Sequence, residues 1–173
     1  MAPSLVPGSE VVTTAQDEIL DLVGSIPDPE IPILTLQDLG ILRGVDVQPN
    51  GRLVVTLTPT YMGCPAIDPI RLSVMRVLSE AGYNQVDIRL VLAPAWTTDW
   101  MSDEARAKLR AYGLAPPTRI GTGRDCTVLA APAECPRCGS TNTREVSRFG
   151  ATPCRAHLVC NSCLEPFDRF KAI

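Results

Sequence analysis

Two cysteine pairs of identical spacing stand toward the C-terminal end of the chain, Cys135-Pro136-Arg137-Cys138 and Cys160-Asn161-Ser162-Cys163. Each C-x-x-C turn presents two sulfurs on one tight bend. Two such turns supply four thiolates, the closed tetrahedral shell of a structural zinc site. Gly139, directly after the first pair, frees that turn to take a backbone conformation that strains other residues. Zn2+ is the usual occupant of such a shell. Iron, as a single ion or as an iron–sulfur cluster, is held by the same four-thiolate set, and spacing leaves the choice open. Cys154 lies between the pairs and reads as an extra thiol: a spare ligand, a reactive thiol or, more commonly, a small buried hydrophobic side chain. His157 is the only histidine. Four thiolates complete the shell without it.

A separate cysteine, Cys64, directly precedes Pro65, a residue favoured at the first helical position. That order predicts an exposed Cys64 at a helix N-cap, where the helix dipole and free N–H groups favour a thiolate. Asp68, one turn on, opposes this by like charge. Gly63 leaves room for a ligand or a partner backbone, and Thr60 is close enough in sequence to donate a hydrogen bond to the sulfur. Asp28 and Glu30 sit in the stiff loop Pro27-Asp28-Pro29-Glu30-Ile31-Pro32. They either support Cys64 in binding metal or cap the segment that follows. A functional thiol and an inert buried cysteine are both open readings of Cys64.

The elements that must position these residues follow from periodicity. Thr14 to Ile26 reads as a helix with Ile19, Leu22, Val23 and Ile26 on one face, Thr14 and Asp17 resembling a capping box, and Pro27 and Pro29 ending it. Strands are expected around Ile41–Val47 and Arg52–Thr58, joined as a hairpin by Pro49-Asn50-Gly51. A second helix runs from Pro65 to about Glu80, with Ile67, Ile70, Val74 and Leu78 at helical spacing and Gly82 past its end. Gln85 to Leu92 alternates as a half-buried strand. Trp96 and Trp100 precede a third helix with Ser102 as N-cap and Gly113 as its stop; the two indoles read as a docking surface or as core packing. Pro116 and Pro117 open a linker to about Pro132, broken by a strand-like stretch, Cys126–Leu129. The expected fold is α+β: a small sheet of about three strands with helices packed on it, plus a C-terminal zinc-ribbon-like module. The domain expectation is a flexible tail over 1–12, an α/β domain over 13–115, a linker over 116–132 and a four-cysteine ribbon over 133–173.

Composition narrows the function classes. The chain has 173 residues with 45% hydrophobic and 20% charged side chains, enough for a packed core, and only 5% aromatic residues, so that core is aliphatic. A net charge of −3 with no basic stripe argues against nucleic acid. No apolar run is long enough to span a membrane, and the first ten residues lack the positive and apolar regions of a signal peptide. An odd total of seven cysteines, two pairs of them at metal spacing, fits a reducing, cytoplasmic setting. One histidine leaves no Ser-His-Asp set, no base stands near Cys64 in sequence, and no GxGxxG or phosphate loop occurs. The expectation is a non-catalytic protein.

Three stretches resemble a known family. Asp28-Pro29-Glu30-Ile31-Pro32, then Asp38-Leu39-Gly40-Ile41, then Thr58-Pro59-Thr60-Tyr61-Met62-Gly63-Cys64-Pro65 are similar to the small domain of SufT-like iron–sulfur assembly factors. This resemblance covers about the first two-thirds of the chain. Cys135-Pro-Arg-Cys138-Gly-Ser, Phe149-Gly-Ala-Thr-Pro-Cys154 and Cys160-Asn-Ser-Cys163-Leu-Glu-Pro-Phe167 resemble one branch of that family, the one encoded with the phenylacetyl-CoA epoxidase. The resemblance implies an accessory role in aerobic phenylacetate degradation, in which the protein helps mature the iron–sulfur cluster of the epoxidase reductase. It implies Cys64 as the functional thiol, with Asp28 and Glu30 as its acidic loop. The implied partners are the other subunits of the epoxidase system, above all the reductase, with no nucleic acid and no membrane. A homodimer in which two Cys64 thiols meet is a further arrangement, and a structural or docking subunit of the epoxidase complex is the alternative role.

Overall fold

Hydrophobic spacing accounts for the first helix and its partners. The computed structural model describes residues 9–119 and 132–173. The strand-like stretch Cys126–Leu129 lies outside them. Helix α1 spans Ser9–Gly24 and starts earlier than the Thr14 capping pattern implies, so Thr14 lies inside the helix. Its buried face carries Ile19 and Val23, and Ile26 is buried just beyond its end. A four-residue helical turn, α2 (Leu36–Leu39), follows the proline-rich loop.

Strands β1 (Leu42–Val47) and β2 (Leu53–Leu57) form the expected antiparallel hairpin. Gly51 turns it at φ +79°, a left-handed conformation that suits glycine. Helix α3 (Ile67–Glu80) then crosses over to β3 (Val86–Leu90), which pairs parallel to β2 and gives the sheet order β1-β2-β3. A parallel neighbour requires such a crossover. Helix α1 packs on β1 and α3, and Ile70, Val74 and Leu78 of α3 are fully buried.

Two strands depart from simple alternation. Both faces of β2 are mostly buried, with Val54 and Thr58 covered as well as Leu53, Val55 and Leu57, because it is the central strand. Strand β3 alternates in sequence, yet none of its residues is fully buried, because it lies at the sheet edge.

The described chain divides into two compact units. One holds residues up to Gln37 together with Ile41–Ala95. The other holds Asp38–Gly40 together with Trp96–Ile173. The boundary thus falls at residues 95 and 96, earlier than the expected break at 115 and 116. The reason is pairing. After a 3-10 turn (Thr98–Trp100) and α4 (Asp103–Ala111), the short strand β4 (Leu114–Ala115) joins the four-stranded ribbon sheet β4-β7-β6-β5. The remaining strands are β5 (Thr143–Ser147), β6 (Arg155–Cys160) and β7 (Pro166–Phe170). The Thr98 N–H also donates to the carbonyl of Ile173 at 3.0 Å, and the rings of Trp96 and Phe170 lie 6.3 Å apart.

Within this second unit, Asp38-Leu39-Gly40 is a latch. Asp38 is buried and its carboxylate receives Lys108 Nζ at 2.9 Å, which raises the Lys108 pKa through that hydrogen bond and a second one to Glu104. The Leu39 carbonyl accepts Trp96 Nε1–H at 2.9 Å. Gly40 sits at φ +68°, and a Cβ there would meet Trp100 Cβ at 2.8 Å, so no other residue fits without displacement. Trp96 is therefore a buried anchor and not a docking surface. Ser102 caps α4 as expected, its Oγ accepting the Ala105 N–H at 2.9 Å.

Packing of this kind predicts a sharp contrast along α3. Leu78→Ala should cost about 2–5 kcal/mol in urea unfolding, whereas Leu72→Ala, at an exposed position, should change stability by about 0.5 kcal/mol or less.

Candidate functional site

The two C-x-x-C turns fold alike. In the first, the Gly139 N–H donates to the Cys135 carbonyl at 2.9 Å and the Cys135 N–H to Ser140 at 2.9 Å. In the second, the Leu164 N–H donates to the Cys160 carbonyl at 3.0 Å and the Cys160 N–H to Glu165 at 3.0 Å. Gly139 at φ +73° and Leu164 at φ +63° thus hold equivalent left-handed positions, one suited to its residue and the other strained. Side chains tie the turns together. Ser140 Oγ meets Ser162 Oγ at 2.8 Å, and Asn161 Nδ2 donates to Asn142 Oδ1 at 2.9 Å.

This scaffold brings Cys135, Cys138, Cys160 and Cys163 together, their sulfurs all within 4.8 Å of one another. Cys135 lies 3.7 Å from Cys163, and Cys138 lies 3.6 Å from Cys160. A tetrahedral ion with bonds of about 2.3 Å to sulfur sets edges of about 3.8 Å, so spacing and donor chemistry both fit a zinc-sized ion. The same atoms form the local core. Cys135 and Cys160 are buried with Ala115, Ala133, Ala156, Leu158 and Phe167, and Cys163 packs against them.

Crowding splits the acidities of Cys138, Cys160 and Cys163. The Cys163 backbone N–H, reinforced by that of Ser162, stabilises the Cys160 thiolate and pulls its pKa down to about 6. The Ser140 N–H pulls Cys138 the same way, but the neighbouring Cys163 thiol and burial prevail, and Cys138 is pushed up to about 12. Cys163 is also raised, despite the Glu165 N–H and Cys138, by burial and by the Cys160 and Cys135 thiols. A bound cation supplies the positive charge that lets all four ionise.

Among the described residues, Cys154 and Cys64 stand apart from this set. Cys154 is buried, its sulfur 3.0 Å from Thr152 Oγ1. His157 pairs through Nδ1 with Asp168 Oδ1 at 2.9 Å. Cys64 lies in the β2–α3 loop of the first unit, 8% exposed, where an exposed thiol was expected. It is also not the N-cap. Helix α3 begins at Ile67 with Ala66 as its cap, and the Cys64 carbonyl accepts the Ile67 N–H at 3.2 Å in the turn before it. Pro65 opens that turn and not the helix. Gly63, at φ +80°, has open space where a side chain would project, and Met62 is 79% exposed. Thr60 is half-buried on the same loop. Asp28 is buried, and its Oδ1 accepts the N–H groups of Glu30 at 2.9 Å and Ile31 at 2.8 Å, which makes it the cap of its own turn. Glu30 is half-buried beside it.

Taken together, an α+β domain carrying a loop cysteine and a four-cysteine ribbon define an iron–sulfur assembly-type protein with a zinc ribbon. Residues 16–88 match the family described as iron-sulfur cluster assembly protein, and residues 124–171 match the PaaD zinc beta ribbon domain. A protein of Escherichia coli (strain K12), named as a subunit of 1,2-phenylacetyl-CoA epoxidase, is 46% identical over 157 residues, 90% of this chain and 92% of its own length. The chain belongs to the PaaD family of phenylacetyl-CoA epoxidase subunits. An Fe-S protein maturation auxiliary factor of Porphyromonas gingivalis is 40% identical over 54% of this chain and 90% of its own length. A solved structure from Bacillus anthracis, titled a domain of unknown function DUF59, matches with TM-score 0.55 and 26% identity over 59% of this chain and 97% of that one. No helix among the described residues is long and apolar enough to cross a membrane.

Two outcomes test the metal centre. Protons compete with the ion for thiolates, so affinity falls as pH falls. Zinc affinity measured by chelator competition should fall steeply from about pH 8 to about pH 5, and an affinity that does not change over that range would reject a thiolate site. Leu164→Gly should stabilise the metal-loaded protein by up to about 1 kcal/mol, read as a higher melting temperature. It removes left-handed strain at a side chain 75% exposed, against the entropy a glycine loses on folding.

Proposed function

We propose that this protein assists iron–sulfur cluster maturation in the phenylacetyl-CoA epoxidase system, with the cluster-bearing reductase as its client and Cys64 as a transient cluster ligand. The carrying observation is the division of the sulfurs. Four converge on one another in the second unit as a closed set, while Cys64 stays outside it, within the segment that matches the cluster-assembly family. The ribbon ion is then structural, and the cluster is cargo. In the transfer step the iron–sulfur bond to Cys64 breaks as a client cysteine thiolate forms its own, and Cys64 regains a proton from water. Iron keeps its oxidation state throughout. Asp28 holds the acidic loop in shape through its two backbone hydrogen bonds, and the open space beside Gly63 gives a client backbone a place to approach the loop that carries Cys64.

A docking role within the epoxidase complex is favoured by a different observation. Val146, Phe149 and Leu164 of the ribbon are large apolar side chains left exposed.

Cys64→Ala distinguishes the two. The variant should fold and keep its ribbon metal, while reductase produced alongside it carries several-fold less iron and sulfide than with the wild-type protein. Unchanged cluster loading, with the variant still co-purifying at fixed stoichiometry with the epoxidase subunits, would reject the transfer role in favour of docking.

A further inference from the structure

The two edges of the first sheet are treated differently. Strand β1 is guarded. Its pairing with β2 shifts register between Leu42 and Gly44, and the Val45 carbonyl is taken by the side-chain amide of Gln16 from α1. Bulges and covering groups of this kind block edge pairing. Strand β3 has neither device. It pairs with β2 without a register shift, contains no proline, and has no strand on its other side among the described residues.

The backbone direction of β3 follows from its bonds to β2. The Gln85 carbonyl accepts from Leu53, and the Val91 N–H donates to Leu57. Alternate residues of a strand address opposite neighbours, so Val86, Ile88 and Leu90 turn their N–H and C=O groups toward the open edge.

We propose that this edge is a dimer interface, occupied by β3 of a second copy of the chain. The sequence Val86-Asp87-Ile88-Arg89-Leu90 is complementary to itself when run antiparallel about Ile88. In that register Ile88 faces Ile88, and Val86 faces Leu90 of the second copy; each pair exchanges two backbone hydrogen bonds. Asp87 then stands opposite Arg89 of the second copy at the non-hydrogen-bonded positions, where strands approach most closely and side chains meet. Any other register loses this match. Arg52 already holds the Asp87 carboxylate at 2.9 Å, and a carboxylate accepts further donors, so the two arginines share it. The apolar shoulder beside the edge, Met75, Leu90 and Leu92, is half-exposed and would be covered by its own symmetry mate, as an isologous two-fold interface requires. This inference rests on the edge alone and is independent of the role of Cys64.

Sedimentation of the full chain tests it. The wild-type protein should associate as a dimer. Arg89→Asp places carboxylates opposite one another at two symmetric positions and should weaken the dimer about tenfold or more, with unchanged circular dichroism. The triple variant Arg52→Glu/Asp87→Arg/Arg89→Asp reverses the Arg52 pair along with the strand charges, restores opposite charges in the same register and should recover the dimer. A wild-type protein that stays monomeric at about 100 µM, where a contact of ordinary strength would populate the dimer, overturns the proposal. So does a dimer that Arg89→Asp leaves unchanged, or one that the triple variant fails to recover.

Discussion

Four sulfur atoms held within 4.8 Å of one another are the constraint on which the second unit is built. Four thiolates this close repel, and four thiols lack the geometry-setting bonds of a metal, so a cation turns the cluster from a liability into the anchor of the ribbon. The ribbon has few large apolar residues to offer instead. Its buried cluster consists of three alanines with Leu158 and Phe167, and Cys135 and Cys160 complete it. Metal shell and hydrophobic core are the same group of atoms. That explains why an exposed leucine is held in a left-handed conformation at Leu164: the second turn must close like the first for its sulfurs to reach the ion.

The same unit draws on a distant part of the chain. Asp38, Leu39 and Gly40 belong with Trp96–Ile173 because each makes a contact that only that segment offers: an ammonium for the buried carboxylate, an indole N–H for the carbonyl, and a tryptophan backbone pressed against a missing Cβ. A stretch that looks like a family signature is here a mechanical part. Asp28 is a similar case, since its carboxylate serves the turn it sits in.

Much of this was readable from residue order. The ligand set followed from two identical spacings. The hairpin followed from alternation around Asn50-Gly51, and the buried face of α3 from the spacing of Ile70, Val74 and Leu78. Such features depend on neighbours a few positions apart, which fix turn type and side-chain direction directly. Structure and expectation parted where a local signal had two outcomes. Pro65 after Cys64 is compatible with a first helical turn or with a turn that precedes one, and the backbone took the second.

Burial and partnership were beyond that reach. Whether Cys64 is exposed, whether Trp96 faces solvent, and whether residues 96–115 side with the sheet or the ribbon all depend on which surfaces meet after the chain has folded back. The ribbon claims that segment because β4 pairs with β7 and Thr98 bonds to Ile173, contacts between residues tens of positions apart that no spacing rule encodes. Local spacing established which chemistry the cysteines can perform; long-range packing chose which of them are covered, because burial is a property of the assembled surface and not of any single stretch.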